Sequence, residues 1–182
     1  SMLDDLAKLF YNTDILAIRK DQMDLDFYKA LAHPKAIQKL SEMAAEIIDD
    51  YAIDSITCLD ESLPYATHIG AILDLPIQWI HAERLIGESK PGETIQRTMF
   101  ISLATPNSNA IKELNNYFNE VELELIGVFN LIAIHDYPES EPIQMINLVH
   151  LGQLLQIYRQ LMIITEEEYN NLLTLQEVQD PE

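Results

Sequence analysis

The stretch MFISLATPNSNAI, residues 99–111, is the strongest indication of the fold in this sequence. Its first five residues are mostly apolar and predict a buried β-strand, and residues 105–109 form a short polar turn. An α-helix is predicted next, because apolar side chains recur at helical spacing from Ile111 through Leu114 to Phe118. α/β proteins hold phosphates with a strand, a turn and a helix N-terminus in this order, since free N–H groups and the helix dipole favour an anion.

The same stretch lacks the residues of a working phosphate site. Such sites use glycines, which let the backbone approach the ligand closely, and carboxylates, which bind Mg²⁺. Residues 99–111 contain no Gly, Asp or Glu. The sequence therefore predicts the shape of a phosphate site without predicting a reaction.

Beyond this stretch, predicted helices and strands alternate along the chain. Apolar residues at helical spacing predict helices over residues 3–12, 34–48 and 151–162, a helix to residue 73 is predicted after a turn at residues 60–64, and residues 165–168 form a capping box for a last helix to about residue 175. Strands are predicted over residues 53–59, 76–81, 123–134 and 143–150, and exposed loops over residues 83–97 and 135–142. The central strands are apolar on both faces, so we predict an α/β fold, a mostly parallel central sheet with helices on both faces.

Composition favours one cytoplasmic domain. With 182 residues and 48% hydrophobic content, we expect residues 2–182 to form a single domain with its core over about 30–175. No apolar run approaches the roughly 18 residues of a membrane span, and no signal peptide is visible. The single cysteine, Cys58, excludes an internal disulfide framework and fits a reducing compartment.

The net charge of −19, from 30 acidic and 11 basic residues, limits the partners. Such a surface repels nucleic acid and anionic membranes, and we expect neither as a partner. The simplest interpretation is that acidity keeps the protein soluble. A halophilic host and a basic protein partner are the alternatives.

Three groups of motifs together resemble the orotate phosphoribosyltransferase family, within the type I phosphoribosyltransferase fold. The first is His-Pro before an amphipathic helix, and the second resembles the family's Gly-Ile-Pro-Leu-Ala and Leu-Pro-Leu pattern. The third resembles the family's closing helices. These motifs lie at residues 33–34, at 62–66 with 75–77, and at 149–169. The resemblance implies a phosphoribosyltransferase-like fold over residues 30–175 and a homodimer.

The resemblance also implies where ligands would bind. The family grips the ribose and 5′-phosphate of phosphoribosyl pyrophosphate with adjacent aspartates and a Thr-Thr-Gly-Gly turn, and it binds pyrophosphate at a turn of small residues. The matching candidate ligand-binding residues here are Asp60, Glu61, Ser62, Ser102, Thr105, Asn107, Ser108 and Asn109.

These positions depart from the family pattern. Ser102-Leu103 stands where the aspartates would lie, and a leucine cannot bind a ribose hydroxyl. Pro106 removes a backbone donor from the phosphate turn. Residues 107–109 offer either amide and hydroxyl donors or a cap for the following helix. Asp60 and Glu61 repel pyrophosphate unless Mg²⁺ lies between them.

The family's mobile loop is rich in Lys and Arg, and the matching stretch is residues 81–90. Arg84 and Lys90 are the candidate catalytic cations there, and no other catalytic residue is assigned. The five histidines show no metal-ligand spacing, so we predict no metal site and no cofactor, with Mg²⁺ required only by an active transferase.

Three hypotheses follow. The leading one is a phosphoribosyltransferase-like pseudoenzyme that binds a small phosphorylated ligand or a protein partner. The second is an active phosphoribosyltransferase of nucleotide metabolism, for orotate or a related base, with a rearranged site. The third is a regulatory or structural subunit of a dimer.

Overall fold

The computed structural model describes residues 1–87, 95–137 and 143–178. Within these ranges the α-helices are α1 (Met2–Asn12), α2 (Pro34–Ile48), α3 (Leu63–Leu73), α4 (Ser108–Glu120), α5 (Leu151–Gln160) and α6 (Glu166–Val178). The β-strands are β1 (Leu16–Arg19), β2 (Gln22–Leu25), β3 (Ser55–Leu59), β4 (Ile77–His81), β5 (Arg84–Ile86), β6 (Gln96–Ala104), β7 (Leu123–Ala133) and β8 (Gln144–His150). Two short 3-10 helices, Phe27–Ala32 and Asp60–Ser62, precede α2 and α3.

One sheet organises the molecule. Its strands lie in the order β5-β4-β3-β6-β7-β8, and β1 and β2 form a separate antiparallel hairpin. All neighbours from β4 to β8 pair in parallel, whereas the edge strand β5 runs antiparallel to β4. The predicted mostly parallel sheet is therefore confirmed. Its parallel strands all end on one edge, which we call the carboxyl edge.

Helices cover both faces of the sheet, as predicted, but unequally. The larger core draws on α1, α2, α3, α5 and α6 and includes Leu6, Leu40, Ile69, Leu154 and Leu172. The smaller core, on the opposite face, takes its helical residues from α4. Successive side chains of β6 point to opposite faces of the sheet, so Met99 and Ile101 lie in the larger core and Phe100 lies in the smaller one.

Most predicted elements are confirmed within a few residues. The predicted capping box is present, since Thr165 Oγ1 accepts a hydrogen bond from the Glu168 N–H at 3.1 Å and Glu168 Oε1 accepts one from the Thr165 N–H at 3.0 Å. The prediction of an exposed loop over residues 83–97 is wrong at both ends. At its start, β5 pairs with β4, and near its end β6 begins at Gln96. A three-residue edge strand is too short to show a period in the sequence.

The remaining loop predictions are only partly covered. Residues 88–94, and residues 138–142 of the second predicted loop, lie outside the described residues. None of the described helices is both long and apolar enough to cross a membrane.

Candidate functional site at the carboxyl edge

The carboxyl edge brings the two predicted ligand-binding turns together. β3 and β6 are parallel neighbours, so the Asp60–Ser62 helix after β3 and the turn after β6 lie side by side, and the short helix contacts β6. In sheets of this kind, ligands bind beyond the carboxyl ends of the strands. The predicted candidates from the two turns thus share one edge of the sheet.

Asp60 is engaged by two side chains from β4. Its Oδ1 accepts a hydrogen bond from Trp79 Nε1 at 2.5 Å, and its Oδ2 lies 2.9 Å from His81 Nδ1. The hydrogen bond with His81, and then that with Trp79, lowers the pKa of the Asp60 carboxyl below its ordinary value of 3.8. Asp60 therefore carries a negative charge at neutral pH.

The other two candidates of this turn are also held by the protein. The backbone carbonyl of Glu61 accepts a hydrogen bond from Tyr28 Oη at 2.9 Å, which ties the turn to the Phe27–Ala32 helix. Ser62 is buried, whereas the Glu61 side chain is exposed. Of the two carboxylates in this turn, that of Asp60 is hydrogen-bonded to Trp79 and His81, and that of Glu61 is exposed to solvent.

The turn after β6 uses its polar side chains internally. Ser102 Oγ donates to the Ala104 carbonyl at 2.6 Å, and Thr105 Oγ1 accepts from the Ile134 N–H at 3.2 Å. The second bond ties this turn to the end of β7. Leu103, at a position where the resemblance places an aspartate, is partly buried and packs against the larger core. Pro106 supplies no N–H.

Asn107 caps α4. Its Oδ1 accepts a hydrogen bond from the Ala110 N–H at 2.8 Å. Of the two roles open to residues 107–109, Asn107 therefore takes the capping role in this structure. Ser108 and Asn109 follow as the first residues of α4, and Asn109 is exposed. Their backbone N–H groups are the part of this turn that still suits an anion.

Of the two candidate catalytic cations, Arg84 lies among the described residues and Lys90 does not. Arg84 begins β5 and pairs with His81, and Lys90 lies outside the described residues. The connection between the two strands is a two-residue turn, Ala82 and Glu83, with φ angles of 48° and 62°. Where the resemblance implied the start of a mobile loop, the structure has a tight hairpin.

No metal centre is found in the described part of the chain, where no three His, Cys, Asp or Glu side chains form a set of ligands. Cys58 is buried, and this burial raises the pKa of its thiol to about 12. A thiol in that state is a poor nucleophile.

Two groups of interacting side chains near this edge were not predicted from the sequence. One is the Asp60 carboxylate with His81 and Trp79, and the other is His150 Nε2 at 3.1 Å from Asp136 Oδ1. Each joins residues from the ends of different strands. The signal that could have found them is the position of His81, Asp136 and His150 at or just after predicted strand ends.

Solved structures share the fold of this chain. The orotate phosphoribosyltransferase of Francisella tularensis is similar with a TM-score of 0.71 and 11% identity, over 96% of this chain and 98% of that one. The enzyme of Mycobacterium tuberculosis in complex with inorganic phosphate gives 0.65 and 18%, over 85% and 91%. This chain has the type I phosphoribosyltransferase fold. The predicted resemblance is thus confirmed at the level of the fold.

The phosphoribosyltransferase fold also relates the chain to part of a larger protein. Leishmania donovani UMP synthase is similar with a TM-score of 0.83 and 18% identity, over 96% of this chain and 42% of that one. The chain therefore spans less than half the length of that protein. No family model matches the sequence, and no curated protein sequence matches it.

Proposed function

We propose that this phosphoribosyltransferase-like protein has lost phosphoribosyl transfer and acts by binding. The observation behind this proposal is that the polar side chains at the carboxyl edge form hydrogen bonds with other groups of the same chain. Asp60, Ser102, Thr105 and Asn107 each have a partner within the chain. A transferase needs such groups free, because it works by positioning its substrates and stabilising charge.

The turn after β6 supports the loss of ribose and phosphate contacts. Leu103 packs into the core at a position where the family pattern has a carboxylate, so it contributes no hydrogen bond to a ribose hydroxyl. Thr105 is tied to β7 and Asn107 to α4. To bind a 5′-phosphate with these side chains, the protein would have to break bonds that hold the turn in place.

Charge at the turn after β3 supports the loss of pyrophosphate binding. Asp60 is ionised at neutral pH, and the exposed Glu61 lies beside it. Residues 59–64 and 104–109 contain no Lys or Arg. A departing pyrophosphate would therefore meet negative charge at this turn, whereas transfer requires positive charge there.

Two kinds of binding remain compatible with these features. The first N–H groups of α4 suit a small phosphorylated ligand, and the strongly acidic surface suits a basic protein partner. The competing hypothesis is an active transferase in which Arg84, Lys90 and a bound Mg²⁺ supply the missing positive charge.

Calorimetric titration of the protein with phosphoribosyl pyrophosphate and Mg²⁺ tests the proposal. We expect no binding tighter than about 1 mM, which corresponds to about −4 kcal/mol. Micromolar binding that is lost in Arg84→Ala or Lys90→Ala would overturn the proposal and support the active transferase. Lys112→Ala, on the exposed side of α4, is the matched control for removal of one positive charge.

A further inference from the structure

The sheet face that carries α4 has a groove beside the helix. α4 packs Ile111 and Phe118 against Phe100 of β6 and Val128 of β7. Of the described helices, α4 is the one that contributes to this smaller core. Between α4 and the β4–β5 hairpin lies a groove of about 690 Å³, which we call the α4 groove.

The floor of the α4 groove is apolar. Leu59 and Ile80 come from the ends of β3 and β4, and Leu114 and Tyr117 come from the facing side of α4. Leu59 is 37% exposed, which is high for a leucine that ends a central strand. Partial burial raises the pKa of Tyr117, and the neighbouring Glu120 raises it further. The floor is therefore a place where further apolar burial would stabilise a bound partner.

The rim of the groove is acidic. Glu83 stands at the hairpin turn, and Glu113 and Glu120 stand one and three turns along α4. All three are exposed, and none forms an ion pair with another described residue. The lining of the groove contains no Lys, Arg or His. The charged residues around the apolar floor of the groove are therefore all negative.

We propose that the α4 groove docks a basic amphipathic α-helix from another protein. A helix with apolar residues at positions i, i+3, i+4 and i+7 would lay them on Leu59, Ile80 and Leu114, and its flanking Lys or Arg side chains would reach the carboxylates. In doing so it would add a second helix to the layer in which α4 lies. A second copy of this chain is a poor complement, because it carries 30 acidic and 11 basic residues.

The docking proposal does not depend on the loss of transferase activity. The α4 groove is lined by Leu59 and Ile80 at the ends of β3 and β4, by Glu83 of the hairpin turn and by α4, and none of its lining residues is one of the ligand-binding candidates. An active transferase could dock the same helix. Failure of one proposal therefore leaves the other standing.

The test uses a synthetic peptide and ¹⁵N NMR of the whole chain. The peptide forms a helix with leucines on one face and lysines on both flanks, and a control peptide has glutamates in place of the lysines. We expect the lysine peptide to shift amide signals of α4, of the ends of β3 and β4, and of the hairpin turn. The glutamate peptide should leave them unchanged.

Paired charge variants separate docking from general attraction to an acidic protein. Glu113→Gln with Glu120→Gln should weaken binding of the lysine peptide by about tenfold. Glu46→Gln with Glu167→Gln removes the same charge from exposed residues of α2 and α6 and should change binding by less than about twofold. Leu59→Ser should also weaken binding, and circular dichroism checks that this variant is folded.

Three outcomes would overturn the proposal. They are equal weakening by both pairs of variants, amide shifts that map outside the groove, and the absence of peptide binding. In the last case, sedimentation that shows self-association abolished by the Glu113→Gln and Glu120→Gln pair would assign the groove to a second copy instead.

Discussion

Asn107 has two candidate roles, and they differ in their effect on stability. As a helix cap, its side chain satisfies the Ala110 N–H at the start of α4. We therefore expect Asn107→Ala to lower the free energy of unfolding by about 1 kcal/mol, measured by urea denaturation. A residue that only contacts a ligand would leave the unfolding free energy of the free protein unchanged.

The neighbouring Asn109 is the matched control for this prediction. It lies in the first turn of α4, is exposed, and does not supply the cap. Asn109→Ala should change the unfolding free energy by less than about 0.5 kcal/mol. Equal effects of the two substitutions would contradict the capping role of Asn107.

Asp60 gives a pH prediction with a definite sign. His81 and Trp79 hold its pKa below the ordinary value of 3.8, so the ionised form is favoured more in the folded chain than in the unfolded chain. This contribution to stability is present above about pH 4 and is lost as the pH falls through the lowered pKa. In a ¹³C titration of the carboxyl group, we expect a midpoint below 3.8, raised by His81→Ala.

His68→Ala serves as the control for that titration. His68 is an exposed histidine of α3 whose Nδ1 lies near the Pro64 carbonyl, so its removal should leave the Asp60 titration unchanged. An Asp60 midpoint at or above 3.8 in the unsubstituted protein would refute the hydrogen bonding described here.

For single residues, the sequence predicts which positions matter better than it predicts their hydrogen-bond partners. The sequence of residues 99–111, set beside the family that it resembles, predicts that Leu103 and Pro106 supply no ligand contacts, and this stays a prediction. It could not show that Thr105 is bonded to Ile134, because that bond joins two strands whose order in the sheet is set by the whole fold. The contact of Asp60 with His81 could not be predicted either, because it also depends on which strands are neighbours in the sheet.

At the scale of elements, the β4–β5 hairpin is the connection, among those that the structure describes, with two consecutive non-glycine residues at positive φ. Both residues of its turn, Ala82 and Glu83, have positive φ, which costs about 1 kcal/mol or more for residues other than Gly, Asn and Asp. Asn-Gly is the pair that such turns favour. We expect Ala82→Asn with Glu83→Gly to raise the free energy of unfolding by about 1 kcal/mol in urea denaturation.

The control for the hairpin is Ala71→Gly in α3, an exposed helical position. That substitution should destabilise the protein by up to about 1 kcal/mol, which shows that glycine is not stabilising by itself. A loss of stability in the Asn-Gly variant would mean that the turn is not the tight hairpin found here.

Elements with a clear period were predictable, and short paired ones were not. The stripe from Ile37 to Ile48 and the capping box before α6 each predicted a helix that the structure contains. β5 has three residues, and β1 and β2 have four each. Such strands depend on pairing with a neighbour, and the sequence of each alone carries too few residues to reveal it.

At the scale of the whole molecule, the family resemblance predicts that two copies of the chain associate. We propose a homodimer, and Ile72 of α3, a large apolar residue that is 46% exposed, is our candidate residue for its interface. Sedimentation velocity should give twice the mass of one chain at physiological salt. Lower salt should weaken the dimer, because two copies with a net charge of −19 repel each other when the charge is less screened.

Substitution of exposed apolar residues checks the surface used. Ile72→Asp should shift the protein toward the mass of one chain, whereas Leu161→Asp, an equally exposed leucine after α5, should not. The mass of a single chain at every concentration tested would contradict the dimer.

Formation of orotidine monophosphate shows directly whether the protein has lost phosphoribosyl transfer. The protein is incubated with phosphoribosyl pyrophosphate, orotate and Mg²⁺, and the product is separated by chromatography. If phosphoribosyl transfer is lost, as we propose, we expect no product above a control without protein, for both the unsubstituted chain and Arg84→Ala. Product above that control, reduced by Arg84→Ala, would contradict the claim and show that the fold still carries out transfer.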